Sequence, residues 1–134
     1  MFYEVLMLEN IHHIAIICSD YDSAIKFYVD GLGLSVLSDT PRPEKNDRII
    51  MLSLGERSDT QVELFIKSDA PVRPSYPEAR GLRHLAFRVN DVEKLVSDLA
   101  QKGIDAEQIR RDSFTGEKMT FIHDPDGLPI ELHE

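Results

Sequence analysis

The sequence predicts an α+β fold built from two βαβββ modules, and three observations support this. The order strand, helix, strand, strand, strand occurs twice, once on each side of a proline-rich connector. His13 and His84 each lie seven residues before an aspartate that can cap the helix that follows. One glutamate then follows each histidine at a similar distance, Glu63 after 50 residues and Glu131 after 47.

The first module, about residues 9–67, begins with a predicted strand over 11–18, which is apolar and rich in β-branched residues. Asp20 can cap the next segment, where apolar residues recur at helical spacing until two glycines end the pattern. Three strand-like runs follow, at 34–39, 47–54 and 60–67.

The connector, residues 68–80, holds three of the seven prolines, which lack the donor that helices and sheet ladders need. The second module, about 81–134, repeats the pattern with a strand over 82–89 and a helix over 91–102. Further strands are predicted over 104–109, 117–123 and 128–133, with a DPDG turn before the last. Because neither module can bury a sheet face alone, we expect the 134 residues to form one domain.

Composition and charge exclude several classes of partner. The formal net charge of −9 disfavours nucleic acid and anionic membrane surfaces. A membrane span needs about 20 consecutive apolar residues, and no stretch of the sequence is close to that length. The first residues lack the basic charge that a signal peptide carries. The single cysteine, Cys18, is expected to be a buried, inert thiol, and its isolation is typical of a reducing compartment. We therefore expect a cytoplasmic protein, although the charge itself names no substrate.

Four strand residues carry the predicted chemistry, since each places a histidine or glutamate on one face of a strand whose other face is apolar. They are His13, Glu63, His84 and Glu131. A lone residue of this kind is usually only hydrogen-bonded, but the repeated placement favours a joint role. Two imidazoles and two carboxylates suit one divalent ion, with Ni, Co or Zn preferred and Fe or Mn as alternatives. Two octahedral positions would stay open for substrate.

Other polar residues are weaker candidates. His12 faces away from His13 and is expected to pack at the strand end. His123 precedes the turn, where it would be exposed or border the pocket, and His133 shares a face with the last glutamate. Arg88 shares a face with the second histidine, where either an anionic substrate or a surface carboxylate could meet it.

Four segments carry a family resemblance: IHHIAIICSDYDSAIKFYVDGLGL, TQVELF, GLRHLAFRVNDVEKLVSDL and FIHDPDGLPIELHE. They resemble the vicinal oxygen chelate superfamily, whose best-known member is glyoxalase I, over about residues 9–134. The resemblance implies that the two sheets curve into a shared open cup. It also places the His, Glu, His, Glu metal ligands of glyoxalase I on the four residues named above. Members are often homodimers, and their sites lie within one chain or are shared by two.

The resemblance implies a metal-dependent lyase or isomerase similar to lactoylglutathione lyase, which acts on a small oxygenated substrate through an enediolate-like intermediate. Glu131 is then the expected base, with Glu63 next. Bacterial glyoxalase I usually holds glutathione with an arginine and an asparagine, where this chain has Ile17 and Lys67, so the cosubstrate stays open. The alternatives are an epimerase or an extradiol dioxygenase, and, from another class, a metal-free protein that sequesters a ligand, as bleomycin-resistance proteins do.

Overall fold

The computed structural model describes residues 7–134 and confirms the α+β class with two βαβββ modules. The first module contains β1 His13–Cys18, α1 Tyr21–Ile25, β2 Ser35–Arg42, β3 Asp47–Ser53 and β4 Gln61–Ile66. The second contains β5 Leu85–Arg88, α2 Val92–Gln101, β6 Arg110–Arg111, β7 Lys118–His123 and β8 Pro129–His133. A π-helical segment, Lys26–Gly31, continues α1, and a 3₁₀ turn, Pro43–Lys45, joins β2 to β3. No helix in residues 7–134 is long and apolar enough to cross a membrane.

The two sheets have the same topology, with strand orders β1-β4-β3-β2 and β5-β8-β7-β6. In each sheet the first strand of the module pairs in parallel with the last, and the other pairs are antiparallel. The strand that begins near a predicted histidine therefore lies beside the strand that carries the predicted glutamate. This places each histidine close to the glutamate of its own module.

Both predicted caps begin a helix. The Asp20 carboxylate accepts from the Ser23 N–H at 2.9 Å, and the Asp91 carboxylate accepts from the Lys94 N–H at 3.1 Å. The first helix changes to π-helical geometry before its end at Gly31. A Cβ at this glycine would lie 2.5 Å from Cδ1 of Ile104, so the second module packs against bare backbone here.

One hydrophobic core joins the modules. Its buried members come from both sheets and both helical segments and include Ile16, Cys18, Tyr28, Leu52, Leu64, Leu99, Ile122, Ile130 and Leu132. Strand residues alternate between this core and the opposite face. Each sheet therefore turns its second face, which carries the predicted histidine or glutamate, away from the core.

Three predicted strand bounds need correction. The strand expected over 104–109 is absent, and only Arg110–Arg111 joins the second sheet, because Ile104 and Ala106 leave the helix to pack against the core. The strand expected from residue 82 begins at Leu85, so His84 immediately precedes it. In the first module, β2 is longer than predicted and changes register after Val36.

Candidate functional site

Two histidine–glutamate pairs lie at equivalent places in the two modules. In the first pair, Nε2 of His13 is 3.8 Å from Oε1 of Glu63. In the second pair, Nε2 of His84 is 3.2 Å from Oε1 of Glu131. The register explains both contacts, because in each parallel strand pair the glutamate lies opposite the residue two places after the histidine.

All four side chains lie on faces that point away from the core. Glu63 lies between two buried core residues of β4, and Glu131 lies between two buried core residues of β8. The glutamate side chains are 19% and 14% exposed, whereas those of His13 and His84 are 44% and 25% exposed. The alternation predicted from the sequence therefore holds at these strands, and each pair is open to an incoming group.

Within one chain the four side chains form two separate pairs. In residues 7–134, only one group of three or more His, Cys, Asp or Glu side chains has its potential ligand atoms all within 4.8 Å of one another. That group is Cys18, Asp124 and Asp126. Each histidine–glutamate pair offers one nitrogen and one oxygen to an ion. The joint four-residue site therefore stays a prediction.

Packing explains the group at Cys18. The Tyr28 hydroxyl donates to Asp124 at 2.7 Å, and the backbone N–H groups of Asp126 and Leu128 donate to the same carboxylate. Ser19 donates its N–H to Asp126 at 2.9 Å. Burial, with a smaller contribution from the two carboxylates, raises the pKa of Cys18 to about 12. These contacts tie the turn of the second module to the first, and Cys18 is buried as predicted.

Each histidine of the two pairs has a neighbour at its other ring nitrogen. Nδ1 of His13 lies 2.9 Å from Nδ1 of His12, so the ring predicted to pack at the strand end instead contacts the candidate ligand. If His12 accepts the Nδ1 proton, Nε2 of His13 keeps a free lone pair for a metal. Nδ1 of His84 lies 3.3 Å from the Arg83 guanidinium. A guanidinium only donates, so Arg83, whose side chain is 63% exposed, must turn away before His84 binds a metal through Nε2.

Two cations lie on the same sheet face as the first pair. Arg42 donates twice to the Asp47 carboxylate, with both distances 2.7 Å, and Lys67 donates to it at 2.8 Å. These two donors hold the pKa of Asp47 well below its usual range. Both cations also lie near the Phe65 ring, 5.6 and 6.0 Å from its centroid. The position where glyoxalase I usually has an asparagine is thus part of an ion network.

The weaker candidates have different fates. Nε2 of His133 lies 3.0 Å from Asp112, and hydrogen bonding to this carboxylate raises the pKa of His133. The sequence offered no signal for Asp112, which lies in a loop. In the part of the chain that the structure describes, no carboxylate lies within 4.0 Å of Arg88, so the surface ion pair does not form. His123 is half exposed, 3.9 Å from Glu107.

A recess of about 420 Å³ opens between the connector and the outward face of the second sheet. Its polar and aromatic lining residues are Arg73, Ser75, Tyr76, Glu78, Arg83, Glu107, Arg110, Phe121 and His123. Phe121 lies opposite Glu131 in the β7–β8 pair, and its ring centroid is 5.1 Å from that of His84. This connector recess therefore adjoins the second pair. Sequence patterns do not reveal it, because its residues are scattered between positions 73 and 129.

Comparison with known proteins agrees with this architecture. The family model described as the Glyoxalase/Bleomycin resistance protein/Dioxygenase superfamily matches residues 10–132. The chain is 49% identical to the uncharacterized protein YwkD of Bacillus subtilis over 96% of this chain and 99% of that one. It is 51% identical to a solved glyoxalase family protein from Enterococcus faecalis, with a TM-score of 0.89 over 96% of this chain and 100% of that one.

Two more distant relatives are named as enzymes. Mouse mitochondrial methylmalonyl-CoA epimerase is 28% identical, with 97% of this chain and 75% of the epimerase covered. A lactoylglutathione lyase from Arabidopsis thaliana is 30% identical, with 90% of this chain and 42% of the lyase covered. The match of the family model over nearly the whole chain, together with the repeated modules and strand register, shows that this chain belongs to the Glyoxalase/Bleomycin resistance protein/Dioxygenase superfamily.

Proposed function

We propose that this chain is a metal-dependent lyase or isomerase of the glyoxalase I type, which acts on a small oxygenated molecule. The observation that carries the proposal is the repeated histidine–glutamate pair, with the same register in both modules and on the outward face of each sheet. A single histidine–glutamate pair of this kind would be an ordinary surface contact. Its repetition in a superfamily that contains enzymes supports a shared chemical role.

The donor set fits a divalent transition metal. Two adjacent ligands of an octahedral ion at about 2.1 Å lie about 3.0 Å apart. The nitrogen–oxygen distance in the second pair, 3.2 Å, is close to this value, and the 3.8 Å of the first pair needs only a small closure. Nitrogen and oxygen donors suit Ni, Co, Zn, Fe or Mn. When bound, the metal supplies Lewis-acid activation of substrate oxygens.

We propose that the complete site forms between two copies of the chain. In one copy the two pairs belong to different sheets and face away from the shared core, and only the connector lies over part of one outward face, that of the second sheet. Apolar side chains near both pairs are also open to solvent, with Ile17 55% and Leu82 84% exposed. Exposed apolar surface of this kind is typical of association sites. The first pair of one chain would then face the second pair of its partner.

Glu131 is the proposed base, which removes a proton from the carbon next to a carbonyl. Its side chain is 14% exposed, less than those of the other three residues, and Phe121 lies opposite it in the sheet. Shielding from water limits the loss of the abstracted proton to solvent. Glu63 is in the equivalent position in the first module, where it can receive or return a proton on the other side of a bound substrate.

An epimerase is the second candidate, because the chain matches methylmalonyl-CoA epimerase over 97% of its own length. Epimerisation also begins with proton removal next to a carbonyl, but the proton returns to the opposite face of the same carbon. Two glutamates in separate pairs suit that chemistry. Product analysis on a chiral column separates the candidates, since an epimerase returns the same constitution with one inverted centre.

The first experiment tests for the metal. Protein purified without chelator should contain Ni, Co, Zn, Fe or Mn, and chelation should lower its melting temperature. A metal that binds only the folded state stabilises that state by about 2.7 kcal/mol when the free metal concentration is 100 times the dissociation constant. A melting temperature that responds neither to chelator nor to added metal would favour the metal-free, ligand-sequestering alternative.

A mixing experiment tests whether two chains share the site. Chains carrying His13→Ala are unfolded and refolded together with chains carrying His84→Ala. In a shared site, the mixed dimer regains one intact set of ligands, so metal content rises to about half the wild-type value in that species. If each site lies within one chain, both variants stay metal-poor and mixing restores nothing. Either variant refolded alone is the matched control.

A further inference from the structure

We propose that the connector recess binds an anionic oxygen group of the substrate, either a carboxylate or a phosphate. This inference rests on the proposed function only for where the rest of the molecule lies, which is toward the second pair. The binding of the anion itself depends on Arg73 and Arg110, neither of which contacts a histidine–glutamate pair.

The charges of the connector recess carry the first part of the argument. Its lining includes three arginines and two glutamates, in a chain whose formal net charge is −9. Arg83 is 2.6 Å from Glu78, and Arg110 is 3.3 Å from Glu107, so both glutamates are already paired. For Arg73, no carboxylate lies within 4.0 Å in residues 7–134. One positive charge is therefore left for a ligand.

An unpaired donor of Arg73 also supports an anion in the recess. Its Nε is buried and has no hydrogen-bond partner among the described residues. A buried donor without an acceptor is destabilising, and a turn of the Arg73 side chain toward an oxyanion in the recess would supply the missing acceptor. Guanidinium groups bind carboxylates and phosphates with two parallel hydrogen bonds, which suits either group.

The geometry links this anion site to the second pair. The Arg110 guanidinium lies 5.5 Å from the centroid of the Phe121 ring, and that ring lies 5.1 Å from the His84 ring. A molecule in contact with Phe121 would thus lie close to both the Arg110 guanidinium and the His84 ring. The volume of about 420 Å³ lies within the range of small-molecule sites, roughly 300–1,000 Å³. The substrate class is a small organic acid or phosphate ester that also carries a carbonyl oxygen.

The test is an amide NMR titration of the intact protein with inorganic phosphate and, separately, with succinate. Bound metal is first removed with a chelator that is then dialysed away, and sodium chloride keeps the ionic strength constant. We expect saturable shifts near Arg73, Arg110 and Phe121 with at least one probe. Arg73→Gln should weaken that binding about tenfold, the loss expected for one charge-assisted hydrogen bond. Arg73→Lys, which keeps the charge but not the fork, should give a smaller loss.

Arg80→Gln is the matched control, because Arg80 is an exposed arginine of the same connector that does not line the recess. It should change the binding less than twofold. The inference is overturned if neither probe gives saturable shifts near Arg73 and Phe121. It is equally overturned if Arg80→Gln weakens binding as much as Arg73→Gln. Because the metal is removed beforehand, a failed metal experiment leaves this test intact, and a failed anion titration leaves the metal proposal intact.

Discussion

Replacing Tyr28 with phenylalanine removes the hydroxyl that joins the first module to the DPDG turn of the second. Tyr28 is fully buried, and Asp124 is 4% exposed. The hydroxyl donates to Oδ2 of Asp124 at 2.7 Å, whereas Oδ1 accepts from the backbone N–H groups of Asp126 and Leu128. Tyr28→Phe therefore leaves the aromatic ring in place but deprives one buried carboxylate oxygen of its donor.

The expected loss follows from these contacts. A buried acceptor without a partner costs about 1–3 kcal/mol. The unfolding entropy is about 2.1 cal/mol/K per residue, so the 134 residues together give about 280 cal/mol/K. Dividing the free-energy loss by this entropy predicts a fall in melting temperature of about 4–11 °C.

Calorimetry of the wild type and of Tyr28→Phe checks this value, with Tyr21→Phe as the control. The Tyr21 hydroxyl also donates to an aspartate, Asp39, at 2.8 Å, but Arg48 donates twice to the same carboxylate. The control should therefore lose less than about 1 kcal/mol. If Tyr28→Phe melts within about 2 °C of the wild type, or no lower than the control, the buried hydrogen bond is not the link described.

Three further changes are predicted. Hydrogen bonds from Arg42 and Lys67 lower the pKa of Asp47 below its ordinary value of 3.8. Below about pH 4 the unfolded state therefore binds more protons than the folded state, and the stability that this carboxylate contributes is lost as the pH falls. In the Asp47→Asn variant the melting temperature should therefore fall less steeply than in the wild type as the pH is lowered, and an equal slope would contradict this. His12→Ala should weaken metal binding about tenfold, because the His13 ring loses the neighbour that orients it. Isothermal titration measures this affinity, and an unchanged value would show that His12 does not orient His13. Gly31→Ala should lower the free energy of unfolding by about 1–3 kcal/mol in denaturant titration, because the added Cβ meets Cδ1 of Ile104. Adding Ile104→Val, which removes that methyl group, should recover part of the loss, and no recovery would refute the clash.

Local patterns in the sequence determined the two modules and the faces of their strands. Alternation of apolar and polar residues placed Glu63 and Glu131 on outward faces, because successive side chains of a strand point in opposite directions. The helix caps were equally local, since a capping aspartate bonds a backbone N–H within three residues. The matched spacing of histidines and glutamates selected the four residues, but it predicted one joint site and not the two separate pairs that the structure shows.

Only the tertiary structure decided how the two modules meet. Their apolar faces share one core, so the two pairs point outward from different sheets and do not form one cluster in a single chain. It also showed that Ile104 packs on Gly31 instead of extending a strand. The Tyr28–Asp124 hydrogen bond joins residues that are 96 positions apart, and one recess is lined by both Arg73 and Phe121, which are 48 positions apart. Such contacts arise when sheets and connector pack together, and the periodicity of a single segment carries no information about that packing.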